Sequence, residues 1–362
     1  MQGTTQMRTG TAHLPLHGGK APRCLFERMV QLARELSLVI VTEYGSLELM
    51  RKLSDPFWFQ AFGCVLGYDW HSSGVTTVVC GALKEAWKPI SKEMGLFIAG
   101  GKGATSRKTP SEIETLAPEL KISPSGLIYA SRMSAKVDNN ALQDGYQIYH
   151  HTFIFDRSGC WAVVQQGMNE QTGWARRYHW LSEVAADFVD EPHAGIITSE
   201  IVQPLNMVAH ESAPARQASV ALALEKPWKN LAELKKLQRL ELPAHHQVMM
   251  QNVNPNRIAS TLESAYEAQP QNFEQLLGAK NVGPKTIRAL ALLSEIVYGA
   301  KPSFRDPARF SFAHGGKDGT PFPVDRKTYD HSIHILREAV ERAKLGHREK
   351  LDALKRLDVS SK

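Results

Sequence analysis

The sequence predicts an α+β N-terminal domain with a β-hairpin-centred sheet, followed by an all-α domain. Three observations carry that prediction. Gln147–Asp156 and Trp161–Met168 are rich in aromatic and β-branched residues and flank Arg157-Ser-Gly-Cys160, the pattern of a β-hairpin. Beyond residue 229, apolar residues recur only at helical spacing. Between them the chain turns small and polar, as in Val208–Ser219, which reads as a linker. The expected boundaries are 1–205 for the first domain, 206–228 for the linker, 229–345 for the helical domain and 346–362 for a charged tail.

Taken in order, Leu25, Met29, Leu32, Ala33 and Leu36 mark a first helix after Pro22, and Ser46–Leu53 a second that Asp55-Pro56 interrupts. The aromatic run Phe57–Phe62 reads as core. Val75–Trp87 reads as a helix with Ser72 or Ser73 as its cap. Thr109-Pro-Ser-Glu112 is a helix start, with a capping threonine, proline first and a carboxylate at the third position. Arg177–Leu181 adds a third strand. Leu231–Leu240, Arg257–Glu267 and a final helix from about Tyr329 complete the helical half.

The most specific local signal is Leu276-Leu-Gly-Ala-Lys-Asn-Val-Gly-Pro-Lys-Thr-Ile-Arg-Ala-Leu290. It spells a helix-hairpin-helix over 273–296, a device that grips nucleic-acid backbone without reading bases. Pro284 suits the first helical position. Gly283 is free to adopt positive φ, and Asn281 tolerates it next best. The turn would aim amide N–H groups from a helix N-terminus at a phosphate, with Asn281, Val282, Gly283, Lys285 and Thr286 around it. The usual spelling is Gly-Val-Gly-Pro-Lys; here Asn281 replaces the first glycine.

Charge agrees with that placement. The chain of 362 residues carries a net charge of +6, and residues 201–362 hold 24 Lys and Arg against 17 Asp and Glu, so the whole excess lies in the hairpin half. The 4 cysteines are far apart, which argues against a zinc site and a disulfide framework. With no apolar run of membrane-spanning length and no signal-peptide core, the expectation is a cytoplasmic protein without membrane contact.

Several phrases resemble one known family: His17-Gly-Gly-Lys20-Ala-Pro22, Leu53-Ser-Asp-Pro-Phe-Trp-Phe-Gln60, Asp69-Trp-His-Ser-Ser-Gly74, Gly100-Gly-Lys-Gly103, Tyr149-His-His-Thr-Phe153, Trp161-Ala-Val-Val-Gln-Gln-Gly167 and His314-Gly-Gly-Lys-Asp-Gly319. Together they resemble an uncharacterised prokaryotic family catalogued as domain of unknown function 763, from about residue 8 to residue 340. The resemblance implies a helix-hairpin-helix near the C-terminus and no established activity.

Chemistry must therefore come from the residues. Three Gly-Gly-Lys triplets, at Lys20, Lys102 and Lys317, offer backbone amides and a cation to an oxyanion, but none has the phosphate-loop spacing of a nucleotide-binding ATPase. Gly100–Lys108 is the best phosphate-contacting loop among them, and Lys102 and Lys317 join the expected nucleic-acid contacts. Lys136, Asp138, Asp144, His150 and His151 form an acidic and histidine-rich set around the first strand. Such a set could hold Mg²⁺ or Mn²⁺, through Asp69, Asp138 and Asp144, in a metal-dependent phosphodiesterase with a histidine as general base. Adjacent strand residues face opposite ways, so only one of His150 and His151 can enter any one site. The restriction-type nuclease core ends its second strand with an acidic residue, a spacer and a lysine; here that place reads Gln165-Gln166-Gly167.

The functional expectation is a DNA-binding protein that acts on DNA structure rather than sequence, as a metal-dependent nuclease in repair. Two rivals stand beside it: a non-catalytic DNA-binding scaffold, and a protein that binds structured RNA.

Overall fold

The computed structural model describes residues 10–11, 22–68, 73–239, 253–308, 326–344 and 346–360. Its centre is a mostly antiparallel sheet. The strands are β1 (Gly10–Thr11), β2 (Leu96–Lys102), β4 (Gln147–Asp156), β5 (Trp161–Asn169), β6 (Trp174–Leu181) and β7 (Gly195–Thr198), in the spatial order β1-β7-β6-β5-β4-β2. Only the β1–β7 pair is parallel. A separate pair joins β3 (Leu142–Gln143) to β8 (Leu205–Asn206).

The predicted hairpin is β4–β5, with Phe155 opposite Trp161. Asp156 closes it: one carboxylate oxygen accepts the N–H groups of Ser158 at 2.9 Å, Gly159 at 2.9 Å and Cys160 at 3.0 Å. This is an aspartate turn built from side-chain-to-backbone bonds.

Fourteen helices are described: α1 (Arg23–Tyr44), α2 (Ser46–Ser54), α3 (Pro56–Val65), α4 (Gly74–Trp87), α5 (Ser91–Met94), α6 (Thr109–Thr115), α7 (Ser125–Lys136), α8 (Ala213–Ala223), α9 (Pro227–Leu237), α10 (Pro255–Glu267), α11 (Phe273–Gly278), α12 (Pro284–Tyr298), α13 (Arg326–Arg342) and α14 (His347–Ser360). Local chemistry explains several starts. Asp55 accepts the amides of Phe57 and Trp58 at the head of α3, and Asn272 accepts that of Gln275 at the head of α11.

The helices form two layers, one on each face of the sheet. On one face Ile98, Ile154, Val164 and Leu181 meet α1 to α4, including Trp58, Phe59, Phe62 and Trp87. On the other face Phe97, Phe153, Val163 and Trp180 meet α7 and the helices from α8 to α12. Both faces are covered, so the strands alternate between two buried sides and read as near-continuous apolar runs. Burying each large side chain contributes roughly 1.5–3 kcal/mol.

Two expectations about organisation are corrected here. The stretch 206–228 is not a linker: α8 lies inside it, buries Ala215, Leu222 and Ala223, and packs against α12. Small residues let two helix backbones approach, and their low hydropathy imitates a linker. The stretch 346–362 is not simply a charged tail either. Leu357 of α14 is buried in the α1–α4 core, and Arg356 donates to the Val65 carbonyl at the end of α3. No described helix is long and apolar enough to cross a membrane.

Candidate nucleic-acid interface and the buried polar rows

The turn between α11 and α12 uses its residues differently from the expectation. Asn281, with φ 64°, is the residue in the left-handed region, whereas Gly283 is extended at φ −127° and ψ −175°. Asn281 therefore does the conformational work of the glycine it replaces. At Gly283 a Cβ would meet no heavy atom within 4 Å, so the internal packing of the turn does not require glycine there.

Val282 is buried in the core below the turn. Thr286 is also buried, and its hydroxyl is bonded to Thr261 at 2.8 Å, which withdraws it from the expected anion contacts. Asn281, Lys280 and Lys285 are exposed. Among the described residues neither lysine has an ion pair, and the Gly283 and Lys285 amides have no acceptor.

Lys136 lies at this turn. Its ammonium donates to the carbonyls of Leu277 at 2.8 Å, Gly278 at 3.1 Å and Ala279 at 2.9 Å. These are C-terminal carbonyls of α11, which a helix leaves without intrahelical donors. Burial holds the Lys136 pKa below the usual lysine range.

The strand residues divide by face. His151 pairs with Gln165 and Gln165 with Tyr178, so the three share one face. His151 bonds Ser131 at 3.0 Å through Nε2 and the Gln165 carbonyl oxygen at 2.7 Å through Nδ1. The Gln165 amide then donates to Ser134 O and to Asp138. Asp138 sits in a π-turn, Val137–Ala141, and also accepts from Trp180 Nε1 at 3.0 Å and meets His193 Nε2 at 2.6 Å.

Asp144 belongs to a neighbouring cluster. It accepts from the Tyr178 hydroxyl at 2.7 Å and the Tyr146 amide at 3.1 Å, and lies 3.1 Å from Arg176 Nε. Arg176 also pairs with Asp306. Two buried carboxylates thus share one guanidinium. Burial pushes Asp144 up to about 6 against the opposing pull of Arg176.

On the opposite face, Lys102, His150, Gln166 and Arg177 are successive cross-strand partners. His150 is buried, with Nε2 2.9 Å from the Thr152 hydroxyl. Burial, aided by His151 and Lys102, lowers its pKa to about 3, so the ring is neutral. Gln166 donates to the Ser73 carbonyl at 2.9 Å and to the Tyr149 hydroxyl, and accepts from Thr76. Arg177 is fully buried and, among the described residues, donates only to neutral groups: His179 at 2.9 Å, Gln60 at 2.9 Å and Thr76 at 3.4 Å, with the Phe59 ring 4.6 Å away. Burial lowers its pKa to about 9.

Lys102 is the exposed end of this row, 6.0 Å from the Tyr149 ring centroid. The Gly100-Gly-Lys segment is strand, not a flexible loop, and a 3-10 helix follows at Gly103–Lys108. Gly100 is required: with φ 86°, a Cβ would lie 2.2 Å from the His151 carbonyl oxygen.

Asp138 and Asp144 are buried with separate partners, and His150 and His151 face apart. No group of three or more His, Cys, Asp or Glu could hold a metal ion among the described residues. Asp69 and Lys317, as well as Lys20, lie outside the described residues. Sequence reasoning missed His193, Arg176, Arg177 and Asp306. A signal existed for two of them: Arg176-Arg177 sits inside an apolar, aromatic strand, where a charge needs a specific partner.

No curated protein and no solved structure matches this chain. A family model described as protein of unknown function (DUF763) matches residues 10–324. That span covers most of the sequence and includes the α11–α12 turn and both polar rows, and on it the chain belongs to the DUF763 family.

Proposed function

We propose that this protein binds nucleic-acid backbone through the α11–α12 turn, and that DNA is its partner. One observation carries the reading. The 15-residue helix α12 opens with the unpaired amides of Gly283 and Lys285, beside exposed Lys280 and Lys285 and an unobstructed glycine. Helix N-termini with free amides favour anions, and a phosphate can approach a residue that has no Cβ. Contacts of this kind position a protein on the backbone without specifying sequence.

The same considerations favour a holding role over a cutting one. Asp138, Asp144, His151 and Lys136, the groups a nuclease reading needs, are occupied by internal hydrogen bonds. Fluorescence anisotropy with duplex DNA and with structured RNA across a salt series tests the proposal. Binding should weaken with salt, favour DNA, and lose about one unit of log–log salt slope in Lys285→Ala. Absence of DNA binding at low salt, or identical binding by Lys280→Ala/Lys285→Ala, refutes it. Cleavage of branched or single-stranded DNA with Mg²⁺ or Mn²⁺ would overturn the holding role and restore the nuclease.

A further inference from the structure

We propose that the end of α8, the start of α9 and the end of α12 form a stacking face for single-stranded DNA. Bases lie against Trp228 and Tyr298, and the phosphates of the strand meet Lys226, Lys229 and Lys301. The face is separate from the α11–α12 turn, because the 15 residues of α12 put Tyr298 about 21 Å from it. Nearly all of the helix between the two is buried. The proposal does not rest on the function proposed for the turn.

The first observation is where apolar surface is left uncovered. Half of the large apolar side chains exposed among the described residues, Leu224, Trp228, Ile296, Val297 and Tyr298, fall on these adjoining helix ends. Trp228 is 63% exposed and Tyr298 49%, whereas every other described tryptophan is buried or half-buried. α12 packs against both α8 and α9. Glu225, in the α8–α9 connection, ties the ends together: it accepts from the Tyr298 hydroxyl at 3.2 Å and lies 3.8 Å from Lys229 Nζ. Tyr298 is thereby held in place while about half of it stays open to solvent. Grouped exposed apolar side chains of this kind mark an interaction surface.

The second observation is charge, and it selects the occupant. Lys226 and Lys229 flank Trp228 in the chain, Lys301 follows Tyr298 by three residues, and all three are exposed. Lys226 and Lys301 have no ion pair among the described residues. Residues 224–239 hold 5 Lys and Arg against 2 Asp and Glu. A second copy of the same face would therefore bring like charges together. A protein-docking face depletes charged residues at its centre, but here the cations sit beside the aromatic residues. A single strand needs that interleaving, since each stacked base carries a phosphate alongside it. A duplex cannot use the rings, because its bases already stack on one another. The aliphatic part of the face, Leu224, Ile296 and Val297, favours deoxyribose: a 2′-hydroxyl set against carbon loses its water without gaining a partner.

The test uses the full-length protein with an oligodeoxythymidylate and an abasic strand of equal length, read by anisotropy and by quenching of tryptophan emission. The thymidine strand should bind tighter by about tenfold or more, the scale of one stacked base, and should quench. Trp228→Ala and Tyr298→Ala should each reduce that preference by about tenfold. Tyr298→Phe, which loses the bond to Glu225 but keeps the ring, should retain it. Lys226→Ala/Lys229→Ala should weaken both strands alike and lower the salt dependence. Lys280→Ala/Lys285→Ala should leave the preference at the wild-type level, so failure of the turn and failure of this face are told apart. Equal affinity for the two strands, or a preference unchanged in both alanine variants, overturns the proposal. Tighter binding of the matching oligouridylate overturns the choice of DNA. Self-association that Trp228→Ala abolishes overturns the choice of a nucleic acid.

Discussion

Lys136 Nζ lies 2.8 Å from the Leu277 carbonyl oxygen, so a side chain at the end of α7 terminates α11, the helix before the Asn281–Pro284 turn. Two neighbouring carbonyls, of Gly278 and Ala279, share the same ammonium. The lysine that the sequence places beside candidate carboxylates instead ties the sheet half of the chain to the turn proposed to hold DNA.

Replacing Lys136 by methionine should therefore destabilise the protein by about 2 kcal/mol, the scale of hydrogen bonds to a charged group. Amide hydrogen exchange should accelerate first in α11 and the turn. Urea denaturation together with residue-resolved exchange measures both effects, and equal acceleration in β4 would argue against a local role.

The two turn residues make opposite predictions. Gly283→Ser keeps an extended backbone, meets open space and introduces a good helix cap, so stability should be unchanged or slightly higher while DNA affinity falls. Asn281→Val forces a β-branched residue into the left-handed region and should destabilise by about 1–2 kcal/mol. Thermal melts paired with anisotropy separate the two.

Asp138→Ala should be among the most damaging single changes. It leaves His193, Trp180 and Gln165 without their shared acceptor in a buried site, an effect of about 3–5 kcal/mol. The loss should appear in chemical denaturation without any added metal, and Mg²⁺ or Mn²⁺ should not alter its size.

Acid sensitivity follows from buried imidazoles. Burial holds His150, His151 and His179 below the ordinary range, His150 at about 3. A depressed histidine contributes stability that is complete above its unfolded pKa, near 6.5, and is lost as pH falls towards the folded value. Asp144, raised to about 6, acts with the opposite sign: its contribution is complete below about 4 and is lost as pH rises through 6. Unfolding free energy should therefore fall from pH 6.5 to pH 4, and more steeply in Asp144→Asn than in the wild type. A pH-independent urea midpoint over that range would contradict the argument.

Much of the local structure was legible because short-range chemistry controls it. The β4–β5 hairpin is spelled by alternating aromatic and β-branched residues around an aspartate turn, and the α2–α3 break by Asp55-Pro56. The turn at Asn281–Pro284 was legible too, although the left-handed residue proved to be the asparagine. The candidate site was less legible. Gln165 and Gln166 stood out only as departures from a nuclease pattern, yet each is the centre of a polar row on its own face of the sheet.

The sequence by itself determined the β4–β5 strand pair, the α2–α3 break, the turn at Asn281–Pro284 and the split of the positive charge towards the C-terminal half. Helix caps, turns and strand alternation depend on residues a few positions apart. Only the tertiary structure decided which groups meet. His193 reaches Asp138 across 55 positions, Lys136 reaches the α11 carbonyls across more than 140, and α8 fills what composition marks as a linker. Those pairings are set by how the two helical layers close on the sheet, and closure depends on the whole core at once.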